Sequence, residues 1–145
     1  MRTLPKGPHN SILLILLLLA FAAGCNSEDL VTETNITDVA WRLSSINGSE
    51  PDQTPEPIIL NLDALNLTAS GFGGCNRYTG SFEQNGEAFS FGPVAATKMF
   101  CENTQSVEDA FFASLSDVRS AVVEDSTLTM YDENGTAILS FENGS

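Results

Sequence analysis

Short segments in which hydrophobic and polar residues alternate, separated by turn residues, cover most of the chain after residue 38. Alternation with a period of two is typical of strands that bury one face, and Asn-Gly between such segments is typical of a hairpin turn. Asn-Gly occurs at positions 85–86 and 134–135. The pattern predicts strands or hairpins at residues 39–46, 57–62, 65–70, 78–92, 94–100 and 126–141. The expected core residues of the last hairpin are Leu128, Met130, Ile138 and Phe141.

Residues 106–118 show helical periodicity instead. Ser106 is followed three residues later by Asp109, which predicts a capping box that starts at Ser106. The apolar face of this helix is formed by Val107, Phe111, Leu115 and Val118. One helix among seven or eight short strands predicts a mainly β (α+β) fold. We expect a compact antiparallel β-barrel-like domain with the helix packed across it.

The N-terminus has the pattern of an export signal. Arg2 and Lys6 precede an uncharged apolar run at residues 12–23, which is shorter than the roughly 20 residues of a membrane-spanning helix. The run ends in Ala-Ala-Gly-Cys at residues 22–25, which resembles a bacterial lipobox although Ala22 stands where leucine is usual. We therefore predict a signal peptide at residues 1–24, cleavage before Cys25 and lipidation of Cys25. The alternative is an ordinary secretory signal followed by a coincidental cysteine.

Lipidation of Cys25 would attach the protein to the bacterial cell envelope through palmitate-like acyl chains. Asn26 follows this cysteine, whereas aspartate there would favour retention in the inner membrane. In a Gram-negative host we therefore expect the periplasmic leaflet of the outer membrane. Residues 25–38 are polar and acidic and predict a flexible tether, so the folded domain is expected at residues 39–145.

Composition narrows the possible chemistry. The net charge of the 145-residue chain is −13, which argues against nucleic acid as a partner. The single histidine, His9, lies in the predicted signal peptide. The mature protein is therefore expected to lack histidine catalysis and histidine-ligated metals, and we expect no cofactor and no enzymatic activity. We expect the protein to be a monomer. The following carboxylates are interpreted as solvated surface groups: Asp52, Glu56, Glu108, Asp109, Glu124 and Asp125.

Two cysteines remain after Cys25, namely Cys75 and Cys101. In an exported protein they can form a disulfide, worth about 3–4 kcal/mol by loop closure; two buried free thiols are the alternative. Cys75 lies in a glycine-rich segment, residues 71–82, that lacks the spacing of a nucleotide-binding loop because Asn76 stands where glycine is required. We interpret its glycines as architectural, permitting positive φ, a bulge or close strand contact.

Several motifs together resemble the META domain family of HslJ-like bacterial lipoproteins. The opening strand matches through Trp41 and Leu43. The Gly-Cys-Asn-x-Tyr-x-Gly motif matches through Gly74, Cys75, Asn76, Tyr78 and Gly80. The Thr-x-Met-x-Cys motif matches through Thr97, Met99 and Cys101, although Phe100 replaces the usual alanine. The resemblance covers residues 39–142 and includes the helix and the final hairpin.

This resemblance implies a barrel-like domain with one helix and no catalytic residues, in a family linked to heat shock and stress responses. We expect Trp41 in the core, and Asn76 and Tyr78 binding nearby backbone groups. The expected function is that of a non-enzymatic envelope lipoprotein that supports stress tolerance by binding an envelope component. The alternative is a small-ligand binder that uses the barrel interior or its mouth near Arg77 and Tyr78.

Overall fold

The computed structural model describes residues 35–144, which form eight β-strands and one α-helix. The helix lies between the fifth and sixth strands in the sequence. The elements are β1 (Ala40–Ile46), β2 (Ile59–Asp63), β3 (Thr68–Phe72), β4 (Arg77–Asn85), β5 (Ala88–Ala96), α1 (Gln105–Asp117), β6 (Ser120–Glu124), β7 (Thr127–Tyr131) and β8 (Ala137–Asn143).

The sheet closes into a barrel. Each strand pairs antiparallel with the next one in the sequence, and β1 pairs with β8. The junction between β5 and β6 is the weakest, since these two strands share a single residue pair, Ala88 with Ser120. Helix α1 packs beside β5 at this junction. The predicted antiparallel β-barrel-like fold with one packed helix is confirmed.

Large apolar side chains fill the barrel interior. Strand residues such as Trp41, Phe82 and Phe141 pack together with Phe111 and Leu115 from α1. The core residues predicted for the last hairpin are all buried, and so is the predicted apolar face of the helix. Both of these predictions are confirmed. The spacing of the hydrophobic residues identifies the core correctly here because each segment buries one of its faces.

The helix begins earlier than its sequence predicts. The N-cap residue is Thr104, and Ser106 lies exposed in the first turn, so the predicted cap at Ser106 is wrong. The amides of Thr104 and Gln105 both donate to the carbonyl of Cys101, which starts the turn two residues sooner. Within the described residues, the buried hydroxyl of Thr104 has no hydrogen-bond partner.

The strand predicted at residues 94–100 is only half correct. Its first three residues belong to β5, which ends at Ala96. The Thr97 amide still donates to the Arg77 carbonyl of β4, but the Met99 amide donates to the side chain of Asn76 instead of to a strand. Strand β6 has no counterpart among the predicted strands, because it is only five residues long and follows the helix after two residues.

The described part of the chain starts inside the predicted tether. Ile36 and Thr37 are buried, and the indole Nε1 of Trp41 donates to the carbonyl of Ile36 at 2.8 Å. The packed domain therefore extends N-terminally of residue 39. Cys25 and the predicted signal peptide lie outside the described residues. Residues 35–144 contain no helix that is long and apolar enough to span a membrane.

Candidate functional site

A covalent cross-link joins two segments at one end of the barrel. Cys75, in the loop between β3 and β4, forms a disulfide with Cys101, with the two Cα atoms 5.9 Å apart. Cys101 lies between β5 and α1, so the bond fixes the exit from the sheet to the start of the helix. The sequence left a disulfide and two free thiols as alternatives, and the structure has the disulfide.

The side chain of Asn76 holds the segment that follows β5. Its Oδ1 accepts hydrogen bonds from the Met99 amide at 2.7 Å and from the Thr97 hydroxyl at 2.8 Å. Its Nδ2 donates to the Met99 carbonyl at 3.2 Å. One buried amide side chain therefore pairs with both backbone groups of Met99, as a neighbouring strand would.

A buried carboxylate completes this network. Glu108 in the first turn of α1 is only 2% exposed. Its Oε2 accepts from the backbone amides of Cys75 at 3.1 Å and Asn76 at 2.6 Å, and its Oε1 accepts from Asn76 Nδ2 at 2.6 Å. Among the described residues, all of its hydrogen-bond donors are neutral. Three donors on one ionisable side chain tie the β3–β4 loop to the helix.

The interpretation of Glu108 as a solvated surface group is wrong. A sequence signal for its burial existed, since Glu108 lies three residues before Phe111 and seven before Leu115, on the apolar face of the helix. A carboxylate on that face must find donors, and the loop amides provide them. Space is tight, because a Cβ atom at Gly73 would lie 3.0 Å from Glu108 Oε2 and 2.8 Å from Phe112 Cζ.

Tyr78, two residues after Asn76, is buried in the core. Its hydroxyl donates to the carbonyl of Ile59 at 3.0 Å, and its ring packs edge-on against Phe111 and Phe112. Burial raises the pKa of Tyr78 above the usual value of a tyrosine. Tyr78 therefore acts as a neutral donor inside the core and offers no contact point at the mouth of the barrel.

The remaining motif residues divide between the site and the barrel wall. Gly74 adopts φ +112°, a left-handed region that favours glycine, directly before Cys75. Gly80 lies in β4, where an added Cβ would approach the Pro93 carbonyl oxygen to 3.0 Å. Trp41 is buried in the core. The network thus brings together six of the motif residues: Gly74, Cys75, Asn76, Thr97, Met99 and Cys101.

The same network presents two hydrophobic side chains to solvent. Met99 is 59% exposed and Phe100 is 81% exposed, and they form what we call the ridge. Beside it runs a groove between β5 and α1, with a volume of about 360 Å³, lined in part by Val94, Ala96 and Phe112. The backbone of the ridge is fixed by Asn76 and by the adjacent disulfide. The sequence predicted a structural role for Met99 and did not predict this surface.

Comparison with known proteins identifies the family. A sequence model described as META domain matches residues 34–145. The chain belongs to the META domain family. Its fold is similar to an NMR structure of a protein from Burkholderia xenovorans, with 28% identity, a TM-score of 0.60, and coverage of 75% of this chain and 83% of that one.

A second NMR structure shares the META-domain fold of this chain at 20% identity and a TM-score of 0.57. That match covers 72% of this chain and 88% of the other. No curated protein matches this META-domain protein significantly.

The exposed hydrophobic side chains at this end of the domain are Met99 and Phe100. Residues 35–144 contain no histidine, and this stretch holds no cluster of three or more residues suited to binding a metal. The one buried carboxylate is occupied by its three donors. What the site offers to another molecule is a rigid apolar surface, formed by the ridge and the groove.

Proposed function

We propose that this META-domain protein is a non-enzymatic lipoprotein of the bacterial cell envelope, anchored through Cys25. It supports stress tolerance by binding an envelope protein through the ridge. The observation that carries this proposal is Phe100, which is 81% exposed on a backbone segment held by a disulfide and a buried hydrogen-bond network. We further propose that the domain itself is a monomer and that Asn26 directs it to the outer membrane in a Gram-negative host.

The exposure of an aromatic side chain on a backbone segment that is held in place has a physical consequence. An exposed phenylalanine lacks the favourable free energy of burial, which is on the order of 2 kcal/mol for such a side chain. Aromatic residues on a rigid backbone lose little entropy when a partner covers them, and they are frequent centres of protein interfaces. Because the disulfide and Asn76 hold its backbone, the ridge is well suited to bind a partner protein.

The charge of the domain indicates the chemistry of the partner. Residues 35–144 contain sixteen acidic and only four basic side chains. Next to the ridge in the sequence, Lys98 and Glu102 are both exposed. Complementary charges accelerate encounter and exclude wrong partners. The partner is therefore a protein with an apolar pocket for Phe100 and basic groups around that pocket.

Site-specific photo-crosslinking in native envelopes tests this function. A photoreactive phenylalanine at position 100 should give one discrete protein adduct, and Phe100→Ala should abolish co-isolation of the same protein. The matched control places the photoreactive residue at position 65, which is also exposed but lies at the other end of the barrel. The same adducts from both positions, or none from position 100, would contradict the proposal.

The predicted lipidation of Cys25 has a separate test. Cys25→Ser should abolish metabolic labelling with a palmitate analogue, because the thiol is the expected acceptor. Labelling that persists in this variant would rule out lipidation at Cys25.

The groove supports a second candidate, the binding of a small apolar ligand. Since side chains fill the barrel interior, such a ligand would occupy the groove between β5 and α1, against Phe91 and Phe112. Native mass spectrometry of the purified protein would then show a bound small molecule. Ala96→Trp, which fills the groove, should remove it. A protein that is free of ligand when isolated from its native envelope would exclude this alternative.

A further inference from the structure

A second exposed hydrophobic surface lies at the opposite end of the barrel from the ridge. Residues 64–67 connect β2 to β3, and we call this segment the tip. Leu65 in the tip is 95% exposed and Leu67 is 50% exposed. With Met99 and Phe100 they complete the set of exposed large hydrophobic side chains in residues 35–144. The structure therefore has one such pair at each end.

The tip is held in a fixed conformation. Asp63 Oδ1 accepts from the amides of Leu65 at 2.9 Å and Asn66 at 3.1 Å, and Asn66 Nδ2 donates to Asp63 Oδ2 at 2.7 Å. Leu67 has φ +49°, a conformation that leucine rarely adopts, and its carbonyl accepts from the Phe82 amide at 3.0 Å. A strained leucine kept at an exposed position points to a function for its side chain.

The chain that leads to the predicted anchor enters the barrel beside the tip. The Asp38 amide donates to the carbonyl of Leu62, the residue before Asp63, at 3.2 Å. Nine residues, 26–34, lie between Cys25 and the first described residue, and a chain of about ten residues spans at most about 35 Å. A lipid on Cys25 would therefore hold the membrane within about 35 Å of the end of the barrel that carries the tip.

We propose that the tip inserts Leu65 and Leu67 into the surface of the bilayer that holds the lipid anchor. The ridge then points away from the membrane, because β3 runs from the tip towards the loop that carries Cys75. This inference rests on the proposed anchorage through Cys25. A weak apolar contact suffices, since the anchor already places the tip at a high local concentration near the bilayer.

The carboxylates beside the tip determine which lipid surface fits. Asp63 starts the turn, and Asp38 lies next to the end of β2. Hydrogen bonds from Asn66 and Leu65 lower the pKa of Asp63, so this group stays charged at neutral pH. Anionic headgroups would repel both groups, whereas a zwitterionic surface admits the two leucines.

Tryptophan fluorescence in vesicles tests the orientation. The mature, lipidated protein is reconstituted into phosphatidylcholine vesicles whose acyl chains carry bromine near the headgroup, which quenches tryptophan on contact. Leu65→Trp should lose emission and shift to shorter wavelength, while the matched variant Phe100→Trp should do neither. The wild type supplies the background from buried Trp41. Replacing part of the lipid by phosphatidylglycerol should reduce the quenching of Leu65→Trp.

The outcomes distinguish the proposed insertion of the tip from the proposed lipidation of Cys25. Intact mass of the mature protein reports whether Cys25 carries lipid, and flotation reports whether the protein is bound to vesicles. A lipidated, floating Leu65→Trp protein without quenching would overturn the tip proposal alone. Equal quenching at positions 65 and 100, or a blue shift without quenching that indicates a protein contact, would overturn it as well. A mature protein without lipid would refute both proposals.

Discussion

The two ends of the barrel expose hydrophobic side chains by different means. At the ridge, the groups that fix Met99 come from distant parts of the chain, namely the Asn76 amide, the Glu108 carboxylate and the disulfide. At the tip, Asp63 holds Leu65 and Asn66 from two and three residues away. The ridge depends on the complete fold, whereas the tip is built largely by a local turn. Substitutions at the ridge end should therefore affect global stability most.

The largest effect is expected from removing the disulfide. The double variant Cys75→Ser, Cys101→Ser should lower the free energy of unfolding by about 3–4 kcal/mol, because the unfolded chain regains the entropy of an open loop. Urea denaturation measures this loss. Wild-type protein in reductant serves as the control and should match the variant. A loss below about 1 kcal/mol would mean that the covalent bond adds little to the hydrogen bonds around Asn76.

Removal of the buried carboxylate should come next. Glu108→Ala leaves the amides of Cys75 and Asn76 without their acceptor, and each unsatisfied buried donor costs roughly 1–3 kcal/mol, so we expect a loss of about 3 kcal/mol. Urea denaturation again provides the measurement. Asp109→Ala, the exposed neighbour in the same turn, is the control and should change stability by less than about 0.5 kcal/mol. Equal effects of the two variants would refute the structural role of Glu108.

Tyr78 should make the domain sensitive to alkaline pH. Because burial raises the pKa of Tyr78 in the folded state, only the unfolded state releases this proton as the pH passes about 10. The contribution of Tyr78 to the free energy of unfolding is therefore fully present below that pH and decreases above it. Tyr78→Phe should cost about 1 kcal/mol at pH 7, through the lost bond to Ile59, and progressively less above pH 10. Urea titrations at pH 7, 9 and 11 measure the difference, and a cost independent of pH would contradict this account.

The smallest effect, and the opposite sign, is expected at the tip. Leu67→Asn should raise the free energy of unfolding by up to about 1 kcal/mol, because asparagine tolerates the left-handed conformation better than leucine does. The same change at Leu65, whose φ is not positive, is the matched control and should give no gain. Thermal denaturation compares the two variants. A destabilised Leu67→Asn protein would show that no strain is stored there.

The sequence predicted the features that depend on local patterns. Asn134-Gly135 between two alternating segments located the last hairpin, and the spacing of Phe111 and Leu115 located the helix and its buried face. Closure of the barrel is also expected, because an unpaired edge strand would leave its backbone amides and carbonyls without partners. The META-domain motifs also named most residues of the site, including both cysteines and Asn76.

The features that sequence reasoning missed arise from contacts between distant segments. Glu108 resembled the other surface carboxylates until the β3–β4 loop brought two backbone amides to it. Residues 97–100 have the composition of a strand, yet the backbone amide and carbonyl of Met99 bond the side chain of Asn76. A single sequence shows the residue types in such a network but does not show which of them meet.

Closure of the barrel through β1 and β8 also constrains the order in which the domain is completed. The first strand finds one of its two partners only after the last strand has been synthesised. Until then β1 presents an open edge that can pair with other chains. Loss of β8 from an unfinished or clipped chain would leave that edge permanently free. Pairing of β8 with β1 thus removes an open sheet edge of the kind that favours aggregation.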